Sequence, residues 1–378
     1  MSLNLAILGS KVAAYRQQLS DTVDEVALAT GVPGARITAI EAGVLEPTGD
    51  EILILSDYFR CDYKVFLSND AAAGSPPAQA LYRAKSEDFN KDDRRAVRDF
   101  LYLCETEHEL ASELGRLPKP FELPSATRAN RSAADGAAAV RAHLGYRDQE
   151  LPHDVFGDCR KLGIHVFRRR LGDSNISGLF IVHPVAGKCV LVNSSEDMYR
   201  QRFSAAHELA HALFDAGTVA RVSLRSDRAD PLERHANAFA SEYLMPSHLL
   251  RKLPKLSALS DDDVKWWANH FKVSCDALGV AARRARIVDY QQSRRIRNLR
   301  VAAADKVDPE IPASLSESQR RQKSALLDLG LSDYYVALCF DAHRNGLISA
   351  GRLAEALLLS HGELQEVAAL YGRSLNGH

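Results

Sequence analysis

The 378-residue sequence predicts an α+β fold that is mostly helical. Three observations carry this. Residues 1–70 hold short amphipathic stretches broken by Gly, Pro and Thr, the pattern of a compact all-α module. Segments rich in Val, Ile and Phe (IHVFRRR, SGLFIVH, GKCVLVN) occur together in the middle of the chain, so the sheet is small. Residues 319–378 read as helices only, a C-terminal helical module. A chain this long exceeds one ordinary domain.

In chain order, Leu5, Leu8, Val12 and Tyr15 recur at spacings of three and four and mark one helical face. A second helix begins near Thr22, with acids in its first turn and Gly31 past its end. A third follows Pro33 and stops at Gly43, and EILILSDYF and YKVFL supply two more. AAAGSPP at 71–77 reads as a linker. Residues 78–117, with Leu81, Phe89, Val97, Leu101, Leu110 and Leu114, read as one or two connecting helices. LPKPFELP at 117–124 marks a second boundary. Helices are expected over 130–145 and at VFGDCRKLG, then the three strands, separated by Gly172-Asp173 and Ala186-Gly187. A long helical region starts at Asp197, and DPEIPASLSES at 308–318 is a third break. The expected divisions are therefore 1–70, 71–124, 125–300 and 301–378.

Composition excludes several classes. Charged residues are 26% and the net charge is −1, so the chain as a whole is no polyanion binder. No apolar run approaches the roughly 18 residues of a membrane span, and the N-terminus lacks the basic region of a signal peptide. Six scattered cysteines without a CxxC pair argue for a reducing, cytoplasmic setting.

The most informative stretch is RFSAAHELAHALF, 202–214. His207 and His211 are four residues apart, about 400° of helical rotation, so their imidazoles share a face and can reach one ion. Glu208 lies about 100° round from His207, where it can address a water molecule rather than the ion. This is the HExxH arrangement of zinc peptidases. Apart from these three, every residue from Phe203 to Phe214 is uncharged, as in a buried helix. The third ligand is sought in PLERHANAFASEYLMP, 231–246. Glu233 and Asn237 share one face there, while His235 and Glu242 point elsewhere once Ala236, Phe239 and Ala240 pack. Glu233 is the expected ligand, with Asn237 hydrogen-bonding a ligand from behind. Two neutral imidazoles and one carboxylate leave a divalent zinc ion a net charge of +1 and an open position; the same donors accept Mn2+. Glu208 is the expected proton acceptor and donor for peptide hydrolysis. His183, His248 and Tyr243 qualify as a second oxyanion donor by residue type only.

RFSAAHELAHALF followed by the ExxANxFAxExLMP pattern resembles the ImmA/IrrE family of metallopeptidases, over about 150–250. The matching residues include Phe203, Ala236, Asn237, Phe239, Ala240, Leu244, Met245 and Pro246. The resemblance implies that His207, His211 and Glu233 bind zinc, that Glu208 is catalytic, and that the central fold is a minimal zincin-like metallopeptidase domain.

Residues 8–67 are similar to the XRE-type helix-turn-helix family, through Ala27, Gly31, Val32, Ile37, Ile40, Glu41 and Gly43. The resemblance implies a recognition helix over 34–41, with Arg36 and Thr38 facing DNA. Val23 stands where that family usually has Gln, and Pro33 and Gly34 replace polar residues. Residues 1–70 hold five Lys/Arg against ten Asp/Glu, so the module lacks the usual basic footprint. Residues 281–300 hold seven arginines and one aspartate, a pattern more common in solvated helices than at nucleic acid.

The two resemblances imply a zinc-dependent endopeptidase acting in transcriptional regulation or a stress or phage response. It would make limited cuts in a protein partner, such as a repressor or an antitoxin-like DNA-binding protein. Operator DNA and a second copy in a homodimer are the further partners expected. The alternative is an XRE-type regulator whose peptidase-like domain senses a ligand or partner without significant proteolysis. Asp341, Asn345, Gly346 and Ile348 fall in the register of a calcium loop. His343 and Arg352 occupy ligand positions of that loop, however, so a helix–helix turn is expected. Trp266 and Trp267 are expected to pack within their domain.

Overall fold

The computed structural model describes residues 3–69, 89–172, 175–215, 217–224, 230–253 and 258–375. The expected linker at 71–77, Leu81 and Asp173 lie outside them. The fold is α+β and mostly helical, with one four-stranded sheet among the described residues. The chain divides into two compact units, residues 1–103 with 171–174, and residues 104–170 with 175–378.

The first unit contains α1 (Leu5–Leu19), α2 (Val23–Thr30), α3 (Gly34–Glu41), α4 (Gly49–Tyr58) and α5 (Lys64–Leu67), then the start of α6 (Lys91–Glu113). Capping boxes start two of these helices: Thr22 with Glu25, and Thr48 with Glu51. Each satisfies two backbone donors that a helix start leaves free. Leu8, Val12, Tyr15, Val26, Ile37, Ile40, Leu55, Phe59 and Phe66 form the core. The crossing of α1 over α3 requires Gly9, where a Cβ would stand 2.3 Å from the Ile40 carbonyl oxygen. Arg98 of α6 donates to the carbonyls of Phe59 at 2.8 Å and Arg60 at 2.7 Å, and lies over the Tyr15 ring.

The second unit opens with the remainder of α6, α7 (Ser125–Asn130), α8 (Ala133–His143) and α9 (Val155–Lys161). Strands β1 (His165–Arg169), β2 (Ile176–His183) and β3 (Gly187–Asn193) follow, then α10 (Met198–Phe214), β4 (Ala220–Leu224) and α11 (Pro231–Leu244). The strand order is β1-β3-β2-β4; β1 runs parallel to β3, and the other pairs are antiparallel. Strand β4 is not among the sequence expectations.

Strands β2 and β3 are buried on both faces over most of their length, hence the apolar runs LFIV and CVLV, whereas β1 buries His165, Arg168 and Arg169 among its five residues. Val166, Phe180, Val190 and Val192 pack in one core with α10 and α11. On α6, Glu107 meets His165 of β1 at 2.7 Å and Glu105 meets His183 of β2 at 2.9 Å. Helix α10 has 14 of its 17 residues buried; Arg200 in its first turn is exposed, and from Phe203 to Phe214 no charge reaches the surface. Its start is fixed by Asp197, which caps Tyr199, and by Arg202, wholly buried and bonded to the carbonyls of Pro152, His153 and Lys272.

Beyond α11 come α12 (Ser247–Leu250), α13 (Asp261–His270), α14 (Cys275–Arg284) and α15 (Tyr290–Asn298). Helices α16 (Glu317–Asp328), α17 (Asp333–Arg344), α18 (Ala350–Ala356) and α19 (His361–Leu370) complete the chain. The segment after α16 lies on the free side of β1, where Arg169 and Leu329 form a β-bridge. Residues 341–349 form a helix–helix turn, with Gly346 at φ 72°. The tryptophan expectation needs correcting for one residue. Trp267 packs against the core, but Trp266 is 57% exposed and stacks on His270. Neighbouring helical positions point about 100° apart, so only one of the two can face inward.

Candidate metal centre

The site is built where α10 meets α11 beneath the sheet. Two turns of α10 place His207 and His211 side by side, with their Nε2 atoms 3.1 Å apart. Helix α11 begins at Pro231, and Asp230 caps it by accepting from the Leu232 amide. That start puts Glu233 in the first turn, where its Oε2 lies 3.0 Å from His207 Nε2 and its Oε1 3.4 Å from His211 Nε2. One ligand atom from each of the three residues fits within a 4.8 Å span, and no other such group occurs among the described residues.

The outer nitrogens are also held. His207 Nδ1 faces Asn237 Oδ1 at 3.1 Å, and His211 Nδ1 faces Asp215 Oδ2 at 2.7 Å. Both partners are acceptors, so each imidazole carries its proton on Nδ1 and turns an Nε2 lone pair inward. Two lone pairs and a carboxylate then converge within about one hydrogen-bond length, an arrangement that repels itself unless a cation or proton lies between. Burial lowers the basicity of His211, but the hydrogen bonds of Asp215 and Glu233 outweigh it and push the pKa up to about 9. Burial alone would raise the pKa of Glu233, but the two histidines hold it well below the usual carboxylate range. The donor set of two nitrogens and one oxygen fits a divalent ion of the zinc type.

Glu208 is fully buried on the sheet side of α10. It lies against Gly178 of β2, where a Cβ would come within 2.9 Å of Glu208 Oε1 and 3.0 Å of the Leu191 carbonyl oxygen. Ser223 of β4 pairs with Gly178 across the sheet. The Ser223 hydroxyl and both Glu208 oxygens are buried without a well-aligned hydrogen bond among the described residues, although Ser223 is near enough to act against the rise in the Glu208 pKa. Burial raises the Glu208 pKa, with the neighbouring histidines opposing it.

Several neighbours have no counterpart among the sequence expectations. Asp215 lies four residues past His211, and that spacing alone signals it. Arg131, just after α7, donates to Asp215 Oδ1 at 2.8 Å. Arg221 of β4 donates to Glu233 Oε1 at 2.8 Å and also pairs with Asp230. Arg131 and Arg221 reach the site through tertiary folding, which leaves no local pattern. His235 and Glu242 face elsewhere: the His235 ring meets Phe214 edge-on, and Glu242 accepts from the Ser247 amide. Of the residues considered as oxyanion donors, His183 contacts Glu105, His248 contacts Asp148, and Tyr243 donates to Asp158.

In the first unit, Arg36 is tied to Glu51 by two hydrogen bonds, at 2.5 and 2.8 Å. Thr38 is exposed, and its hydroxyl donates to the Gly34 carbonyl one turn back. The exposed face of α3 also presents Ala35 and Ala42, so it carries no free cation of its own.

Fold and site together describe a metallopeptidase-type domain joined to a helix-turn-helix domain. Residues 159–283 match the family described as the IrrE N-terminal-like domain, and residues 12–66 match a helix-turn-helix family. The chain thus carries an ImmA/IrrE-like peptidase domain and an XRE-type helix-turn-helix domain. Metallopeptidase ImmA of Bacillus subtilis (strain 168) is a relative, 28% identical over 120 residues, which span 31% of this chain and 69% of that protein.

Proposed function

We propose that this protein is a zinc-dependent endopeptidase in which His207, His211 and Glu233 hold the ion and Glu208 is the catalytic residue, within a domain spanning 125–300. The supporting observation is the convergence of the two Nε2 atoms and the Glu233 carboxylate, 3.0 to 3.4 Å apart, beside a buried carboxyl without a well-aligned hydrogen bond among the described residues. When bound, the ion supplies a Lewis acid that polarises a substrate carbonyl and lowers the pKa of water toward neutrality. Asn237 and Asp215 hold the imidazole rings with their Nε2 atoms inward. Glu208 accepts a proton from the attacking water on its free carboxylate oxygen and passes it to the leaving nitrogen. Burial raises its pKa in the metal-free protein, the direction a proton acceptor for water needs.

The substrate is a protein, of the kind represented by a repressor or an antitoxin-like DNA-binding protein, cut at few sites in transcriptional control or a stress or phage response. The helix-turn-helix domain docks that partner or holds the enzyme at operator DNA. A regulator that only senses has no use for a buried carboxyl beside the three ligand atoms, which is why the enzymatic reading is preferred. The test maps new protein N-termini in cells expressing wild type or Glu208→Gln, with and without DNA damage. A few termini seen only with wild type identify the substrate. No difference under either condition, with zinc still bound, overturns the peptidase reading.

A further inference from the structure

The arginines of 281–300 belong to α14, α15 and the segments beside them. Along α15, Tyr290, Ser293, Arg294, Arg297 and Asn298 follow the helical i, i+3, i+4, i+7, i+8 spacing. With Arg300 and Asp276 they line a concavity of about 400 Å³. Ser293 is buried and gives its hydroxyl to the Gly279 carbonyl, which fixes α15 against α14 and leaves the arginines outermost. Arg294 and Arg300 are exposed. Among the described residues, side-chain ion pairs within the seven-arginine run reach Arg295, through Asp261, and Arg297, through Asp276. Tyr290 is 59% exposed, and Arg283 lies 4.9 Å from its ring centre. The result is a concave cationic surface with an exposed aromatic ring. It lies apart in sequence from the peptidase motifs and from the acidic helix-turn-helix domain.

We propose that this face of α15 is a binding site for the phosphate backbone of nucleic acid. Arg294 and Arg297 stand about 4.5 Å apart along α15, and Arg300 follows just past the helix end, beyond the extended Leu299, where it donates to the carbonyls of Arg297 and Leu299. A duplex presents one phosphate per strand about every 3.4 Å of its axis, so three guanidiniums spread along α15 and just past its end can address successive phosphates rather than one free ion. An acidic protein surface offers no such repeat. Arginine forks suit phosphate oxygens, and the contact carries no sequence information of its own. The surface therefore contributes affinity that the acidic first unit does not.

The experiment measures binding of the full chain, in a Glu208→Gln background, to a fluorescein-labelled 20-base-pair duplex of mixed sequence, by anisotropy between 50 and 200 mM salt. Three phosphate contacts give a log–log salt slope of about −2.7, which is about a 40-fold loss of affinity over that range. The Arg294→Gln/Arg300→Gln variant should lower the magnitude of the slope by about 1.8. Neither side chain supports the core, and an unchanged far-UV spectrum and melting temperature verify the fold. Inorganic phosphate at 10 mM, added at constant ionic strength, should not displace the duplex. The proposal is overturned by no duplex binding of the parent protein at 50 mM salt, by an unchanged slope in the double variant, by loss of the slope in Arg36→Gln instead, or by displacement by inorganic phosphate. If the double variant loses poly-glutamate binding but keeps duplex binding, the surface is one for acidic protein, and the proposal fails.

Discussion

Asp215 stands one helical turn beyond His211 and accepts a hydrogen bond from its Nδ1 at 2.7 Å, while Arg131 holds the other Asp215 oxygen at 2.8 Å. The aspartate ends α10, so the helix that carries the histidine also supplies the group that orients it. Acceptors placed behind metal-binding histidines set the tautomer and raise ligand basicity.

Replacing Asp215 with Ala should therefore weaken zinc affinity by roughly 10- to 100-fold. Competition with a chromogenic chelator measures this directly. Asp215→Asn keeps an acceptor and should lose less. Equal affinity in all three proteins would remove Asp215 from any orienting role.

Metal removal should destabilise the second unit. An ion present at 100 times its dissociation constant adds about 2.7 kcal/mol to folding. Melting with and without a chelator should show that loss, and zinc should restore it. His207→Ala should melt alike in both conditions.

Glu208→Gln should retain zinc and abolish cleavage, because Glu208 is assigned proton transfer rather than ligation. Removing one buried ionisable carboxyl should also stabilise the metal-free protein at neutral pH. The folded pKa is raised, so protonation favours the fold, and stability falls as pH rises from the unfolded value through the folded one. The glutamine variant should lack that part of the slope in chemical denaturation.

Gly178→Ala should cost about 1–3 kcal/mol, the usual penalty of overpacking. The new methyl group would stand 3.0 Å from the Leu191 carbonyl oxygen, which is backbone and cannot swing aside. Glu208 would also have to move, so cleavage should fall further than stability predicts.

A pH effect is expected away from the metal centre. Burial lowers the basicity of His165, but the Glu107 hydrogen bond and charge outweigh it, and its pKa is raised above the usual value. The stabilisation from this pair is complete below the ordinary histidine pKa and is lost as pH rises through the raised one. Unfolding free energies of wild type and His165→Gln should therefore converge in that window. A constant gap across pH would refute the assignment.

The all-α N-terminal module, the three central strands and the burial of α10 are all legible in sequence. Each rests on a local signal: Thr caps three residues before Glu25 and Glu51, Val, Ile and Phe concentrated in the strands, and an uncharged stretch flanking His207 and His211. Strand β4 is hidden because ARVSL is short and half-buried at a sheet edge, so its pattern is weak. The exposure of Trp266 is not legible, because two adjacent tryptophans do not show which one faces the core.

The sequence by itself determined which residues share a face. Spacing of four places His207 beside His211 and Glu233 beside Asn237, since helical rotation depends only on the backbone. Only the tertiary structure decided what those faces meet. Arg131, Arg221, Gly178 and Ser223 reach the centre from other elements, across long stretches of chain. Their positions depend on packing between helix and sheet, and contacts made by packing leave no periodic mark in the sequence.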